Sequence, residues 1–493
     1  MAKKEMVHKL EDVLSGKIPS FIIDDGYGNI TILIKNYRVY FFVTLIPIEI
    51  PYDLIFDECD FFHPFSLKAS SNKSIQFINK CYFNEQLWIR ATCNSLHFDN
   101  LRNDCYIEFS NECKIKNITC EHSINCSIYI LGGEYQNFKV SGNYRVLNFI
   151  GGKFENEFSI SNSEIQYLQI ENIDKINKFS ISKDVFIENF LFSALKGSSN
   201  FFINETHINS LVFGKAISTK DNFIQFNQAH FNEVIFDNFT NFGNLYFVNI
   251  KTEENYTMSY VLNLASKTKS NTQITPKIAF KNSDMGKTTF INCDLTGFNL
   301  EFQSSKISEV FLAGTEMPLS KNIISKDKQQ KRLALSQIKK IYENRGDLVE
   351  AGKYQAEEMN VYLQTLPKNW EKVNVFLNKW TNNHGQSWQR AFKFTVISSL
   401  IFFLFYTWSL YYMFDSNYFF KKNGYSFLLD YKPFINKKMY FFEFFNPTHK
   451  FDFIRDQEIT LSFWSSFWDF FGRIFIGYGI YQLIAAFRKH GKK

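Results

Sequence analysis

The sequence predicts a mainly β protein: a parallel β-helix followed by a helical neck and a two-helix transmembrane hairpin. Three observations predict it. Large apolar residues recur every 20–22 residues from Phe77 to Leu245, helical periodicity takes over after about residue 322, and uncharged or nearly uncharged runs occupy about 394–414 and 463–487. The expected domains are an N-terminal β cap (1–75), the β-helix (76–318), the neck (322–386) and the hairpin with its aromatic-rich loop (387–493).

The apolar ladder is Phe77, Phe98, Ile118, Phe138, Phe158, Phe179, Phe201, Phe223 and Leu245, with steps of 21, 20, 20, 20, 21, 22, 22 and 22. A second ladder runs half a period later through Leu87, Ile107, Ile128, Leu147 and Leu168. Each rung opens a short alternation such as Leu87-Trp-Ile89 or Ile128-Tyr-Ile130, and period two means strand. Successive turns would stack at the strand spacing of ~4.8 Å, piling equivalent residues inside the coil. A β-sandwich is the alternative for a Phe-rich chain, but it gives no reason for eight such even steps. Residues 18–66 alternate without the period and are expected to cap the open end. Lys251–Pro276 breaks register and is expected to project as a loop.

The stretch Phe290-Ile-Asn-Cys-Asp-Leu295-Thr-Gly-Phe-Asn-Leu300 shows a five-residue step. Here the chain resembles the pentapeptide-repeat proteins. The resemblance covers roughly residues 76–318, is clean only at 290–300, and implies a right-handed, four-sided coil of about 20 residues per turn. Turns of 21–22 residues depart from the strict pattern, so the coil is a degenerate, pentapeptide-like one; a three-sided β-helix stays open.

Lys326–Arg345 is charged and helical, and Gly346 suits its C-terminal end. Asp347 with Glu350 forms a capping box for the next helix. Pro367 opens a third, with Trp370, Val373, Phe376, Leu377 and Trp380 on one side. Glu357 and Glu358 are adjacent, so they face different ways and read as a solvated surface rather than a catalytic pair.

Phe394–Phe414 is an uncharged run of 21 residues, long enough at ~1.5 Å per residue for a ~30 Å hydrocarbon core. The second run contains Asp469 and Arg473, four apart and able to pair on one helix face. Counted from Arg488, Asp469 lies ~28 Å along the helix, near the far interface, and Arg473 can snorkel. Gly477 and Gly479 are expected helix-contact positions. Gly477-Tyr478-Gly479 also resembles part of a potassium filter, but too few residues follow for a complete spanning helix. The loop 415–462 is rich in aromatics and is expected to lie on or dip into the outer interface. The C-terminal stretch, with Asn446-Pro-Thr-His449 and Gly477-Tyr-Gly-Ile-Tyr-Gln482, resembles the tail of uncharacterised bacterial two-span membrane proteins. That resemblance implies a bacterial inner-membrane location and no activity.

The net charge of +6 is uneven: residues 321–493 carry 26 basic and 14 acidic side chains, net +12, while the preceding chain is net negative. Basic excess beside apolar runs points to a bilayer partner and away from nucleic acid. Arg390 and Lys393 before the first run, and Arg488, Lys489, Lys492 and Lys493 after the second, place both flanks in the cytoplasm. Seven basic residues in the connecting loop weaken that bias. The opening Met-Ala-Lys-Lys-Glu-Met-Val-His has no apolar core of a signal peptide, consistent with a cytoplasmic coil and free thiols.

None of the eight cysteines forms C-x-x-C, so no metal site is expected; Cys93 and Cys113 fit packing positions in the coil. Nucleotide-binding, zinc-protease and hydrolase motifs do not occur, and His97, His122, His207 and His230 are scattered. No enzyme and no cofactor is therefore expected. The favoured reading is a membrane-anchored cytoplasmic scaffold or sensor whose coil binds a protein partner. The alternative is an oligomeric effector or ion channel formed by the hairpin, with the Asp469–Arg473 pair as its support. A carbohydrate-active β-helix enzyme would need export and a surface acid cluster, and a DNA mimic a far more acidic coil.

Overall fold

The computed structural model describes strands between residues 5 and 70. From residue 72 it describes the chain except for 102–104, 183, 216, 252–274, 414–438, 451–462 and 492–493. The loop expected at Lys251–Pro276 and most of the 415–462 loop lie outside the described residues. The chain divides into two units, Met1–Lys326 and Asp327–Lys493.

The first unit is a parallel β-solenoid of about 11 turns with a repeat near 22 residues. Two strands per turn carry the interior, each contributing two inward residues separated by one outward residue. The half-period ladder holds rung for rung: Leu87, Ile107, Ile128, Leu147 and Leu168 are direct partners. It continues through Phe190, Leu211, Val234, Ile278 and Leu300 to Ile323.

The first ladder needs a correction. Phe77 partners Phe98, but Phe98 continues to Cys120, Val140, Ile160 and Ile181. Ile118, Phe138, Phe158, Phe179 and Phe201 belong to the neighbouring inward column, which runs up to them through Ile75 and Leu96. That column passes from Phe201 to Ile224, so Phe223 points outward. Phe98 and Ile118 sit in different inward columns because that turn is two residues longer than the ladder step, while at Phe223 the turn is one residue longer than the step. Side chains alternate along a strand, so one residue of slip exchanges inside for outside.

The register also begins before residue 76. Ile30–Lys35 pairs in parallel with Asp53–Asp57, which pairs with Ser74–Ile78. Phe21–Asp24 pairs with Ile30–Lys35 antiparallel.

The corners explain the abundance of Asn. Two residues beyond the second inward residue of each strand, the chain takes a left-handed conformation: Asn79, Asn100, Asn162, Asn249 and Asn292 after one strand, Asn172, Asn238 and Asn282 after the other. Asn tolerates that region better than most residues because its short polar side chain bonds locally. Other Asn side chains stitch turns together: Asn94 donates to the Asn72 carbonyl (2.6 Å) and Asn137 to Asn117 Oδ1 (2.7 Å).

The second unit is helical among its described residues. Helix α1 (Lys328–Arg345) starts at an Asp327 cap and ends at Gly346, whose φ of 81° supplies the left-handed stop. Helix α2 (Leu348–Thr365) is capped by Asp347, which accepts from the Glu350 amide. The two pack through Leu335, Ile338, Ala351 and a stacked Tyr342–Tyr354 pair. Helix α3 (Trp370–Asn382) leads into α4 (Trp388–Met413). A short α5 (Met439–Phe445) precedes α6 (Phe463–Gly491). Among the described residues, helices α4 and α6 are the two that are long and apolar enough to cross a membrane.

Candidate functional site: a buried charge cluster between the apolar helices

Helices α4 and α6 run antiparallel in close contact. Trp388 stacks on Phe487 (5.6 Å) at one end and Phe405 on Trp468 (4.7 Å) toward the other. Two glycines of α6 allow the approach. A Cβ on Gly479 would lie 3.1 Å from Thr395 Cβ, and one on Gly472 would lie 2.8 Å from the Phe444 ring and 3.3 Å from Phe402 Cβ. Gly477, expected as a contact, is not one: a Cβ there meets nothing within 4 Å. Gly472 and Gly479 are seven apart and share a face, while position 477 is two residues off it.

Helix α5 fills the gap beside this pair. Phe444 is fully buried among Phe403, Tyr406 and Ile476. Pro447 cannot continue the helix, and Asn446 turns the chain: its side chain accepts from the Thr448 amide (3.1 Å) and hydroxyl (2.8 Å). The Asn446 carbonyl accepts from the His449 amide (3.0 Å) and meets His449 Nδ1 at 2.6 Å.

That turn aims His449 at α6. His449 Nε2 lies 2.7 Å from Asp469 Oδ1, and Arg473 Nε donates to Asp469 Oδ2 at 3.0 Å, with Arg473 Nη2 also 3.0 Å from Oδ2. Asp469 is 1% exposed. A carbonyl only accepts, so Nδ1–H donates to Asn446, and Nε2 faces the Asp469 carboxylate. Both carboxylate oxygens are thus engaged within one chain. The cluster holds the Asp469 carboxylate buried between Arg473 and His449, and it offers no open face to a substrate.

Counted along α4, the cluster stands at a shorter distance from the flanking charge than counted along α6. Trp468 stacks on Phe405, so Asp469 stands about 12 residues, or ~18 Å, along α4 from Lys393, the last charge before the apolar run. Arg488 lies beyond the end of that run, which is why counting from it placed Asp469 nearer the far interface. The sequence reading also missed His449. It lies 20 residues from Asp469 with no helical spacing, and the Asn-Pro-Thr turn before it is the sole local signal.

A second polar cluster fastens α3 to α6. Asn382 donates to Gln482, Gln482 Nε2 donates to Asn378 Oδ1 (2.7 Å), and the Tyr478 hydroxyl donates to the same oxygen (3.1 Å). Of the adjacent acidic residues in α2, Glu357 is exposed as expected, but Glu358 is buried against Lys339 (3.3 Å) and Arg332 (3.7 Å) of α1. All eight cysteines are buried, and none is in a disulfide. Burial pushes Cys93 up to about 12 and raises Cys113, whose Sγ bonds the Ile89 carbonyl at 3.1 Å, so both stay protonated packing groups. No group of three or more metal-ligating side chains occurs among the described residues.

Comparison with known proteins returned no matching family, no similar curated protein and no similar solved structure.

Proposed function

We propose that this protein is a non-enzymatic, membrane-anchored scaffold or sensor of the bacterial inner membrane. The hairpin of α4 and α6 anchors it, and the solenoid binds a protein partner in the cytoplasm. We read the solenoid as a right-handed, pentapeptide-like coil. Supporting that reading, buried residues fall five apart at Met285, Phe290, Leu295 and Leu300, and again at Ile307, Leu312 and Met317.

One observation carries the binding role. A single outward column runs up one strand face in register: Gln76, His97, Thr119, Lys139, Ser159 and Ser180, then Phe202, Gln225, Tyr246, Thr289 and Phe311. The lower half is polar. The upper half turns aromatic, and Phe223 fills the diagonal, 5.4 Å from Phe202 and 5.2 Å from Tyr246. An aromatic strip on an otherwise polar face is the composition of a protein contact. A photo-crosslinking residue at Gln225 should capture a defined partner from intact membranes, while one at Lys139 should not. Replacing Phe202, Phe223 and Tyr246 together with Ser should abolish the adduct. Equal capture at both sites, or capture surviving the triple change, would remove this reading.

The channel alternative has less support. A conducting path lined by the charge pair would need open carboxylate oxygens, and those of Asp469 are both engaged. Conductance of the purified protein in liposomes tests it directly.

A further inference from the structure

Helix α3 carries an apolar stripe that the sequence assigned to neck packing. The structure leaves it open. Trp370 is 87% exposed, Phe376 54% and Trp380 63%, with Val373 between them. At 100° per residue these four cover an arc of about 120°. The buried residues Val375 and Asn382 lie on the opposite arc, and Asn382 there meets Gln482 of α6. Lys372 and Lys379 border the stripe, and Lys368 precedes it.

What covers this face follows from where the helix is fastened. Its C-terminal turn is tied to α6 through Asn378 and Asn382. Trp380 packs edge-on against Phe394, the first residue of the uncharged run of α4 (5.5 Å). Five residues separate α3 from α4, whose first residue is another partly exposed Trp, Trp388. The stripe therefore begins at the level where lipid begins. Trp at that level, an apolar arc on one side and lysines along its border are the features of a helix lying in the headgroup layer.

We propose that α3 is an interfacial helix that inserts Trp370, Val373, Phe376 and Trp380 among the lipids at the Trp388 end of the two spans, with Lys368, Lys372 and Lys379 on anionic headgroups. This rests on reading α4 and α6 as membrane spans. The stripe makes α3 a second attachment beside the hairpin, holding the helix at the bilayer surface.

The test uses the full chain in vesicles of phosphatidylcholine with phosphatidylglycerol. Since the native thiols are buried, a nitroxide can be placed singly at Val373→Cys, Phe376→Cys, Glu357→Cys or Ile401→Cys, and collisions with oxygen and with a water-soluble nickel chelate compared. Oxygen should be favoured several-fold at 373 and 376 relative to 357, approaching the value at 401, and the preference should shrink when phosphatidylglycerol is omitted. Values at 373 and 376 equal to 357 would overturn the proposal, as would protection from both reagents, which means a protein covers the stripe. An unchanged preference without phosphatidylglycerol would overturn the anionic-lipid part. A nitroxide at 401 that fails to favour oxygen is a different failure: it removes the span reading itself.

Discussion

Phe158 and Phe223 look equivalent in the sequence, each one rung of the same ladder, and the structure gives them opposite environments. Phe158 is fully buried, with the rings of Phe138, Phe154 and Phe179 around it. Phe223 lies on the outer face between Phe202 and Tyr246. Phe158→Ala should therefore cost ~3–5 kcal/mol, as for a packed core Phe. Phe223→Ala should stay within ~0.5 kcal/mol, as for a surface position. Denaturant unfolding of the full chain in detergent, followed by tryptophan fluorescence, measures both; similar losses at the two sites would contradict the register. The ladder was legible because inward positions repeat once per turn. The register was not, because apolar residues also stand two positions away (Leu96 beside Phe98) or one away (Ile224 beside Phe223). The spacing alone cannot choose among them. Asn at the corners was visible as composition but not as geometry, since a left-handed residue leaves no periodic apolar mark.

At the scale of elements, the hairpin is a three-part packing of α4, α5 and α6, and its charges belong to that packing. Helical spacing was enough to foresee Asp469 beside Arg473, because both sit on one helix. His449 comes from a separate turn, so its contact depends on how α5 docks against Tyr406 and Gly472, and no spacing rule encodes that. The third member changes what mutations should do. Asp469→Asn leaves Arg473 and His449 facing a neutral group, and breaking a buried ionic pair typically costs ~3–5 kcal/mol, so membrane accumulation should fall. For an isolated pair, exchanging the charges restores the attraction. Here Asp469→Arg with Arg473→Asp sets a guanidinium against His449, so the exchange alone should recover little accumulation. Recovery should come when His449→Ala is added to the exchange. Quantitative immunoblotting of membrane fractions reads all three variants, and full recovery by the exchange with His449 intact would remove the histidine from the network.

For the whole molecule, the antiparallel contact of α4 with α6 decides that their outer ends share a side. Trp388 and Phe487 stack at one level, so if both helices cross the bilayer, the chain before α4 and the residues after α6 lie on the same face. Which face is a question of charge. Arg390 and Lys393 flank one run, Arg488, Lys489, Lys492 and Lys493 follow the other, and the rule that counts Lys and Arg near span ends puts this side in the cytoplasm. The basic residues of the 415–462 loop act against that assignment, so the orientation needs its own measurement. The buried native thiols give it a low background. In intact cells, a membrane-impermeant maleimide should label Asp430→Cys and leave Asn200→Cys and His490→Cys unreacted until the cells are opened. Labelling at 200 and 490 with protection at 430 would reverse the orientation and move the solenoid, with its aromatic strip, to the outside. Labelling at 490 but not at 200 would show that one apolar helix does not cross. The solenoid and the residues after α6 would then stand on opposite faces, which the close pairing of α4 and α6 does not permit for two spanning helices.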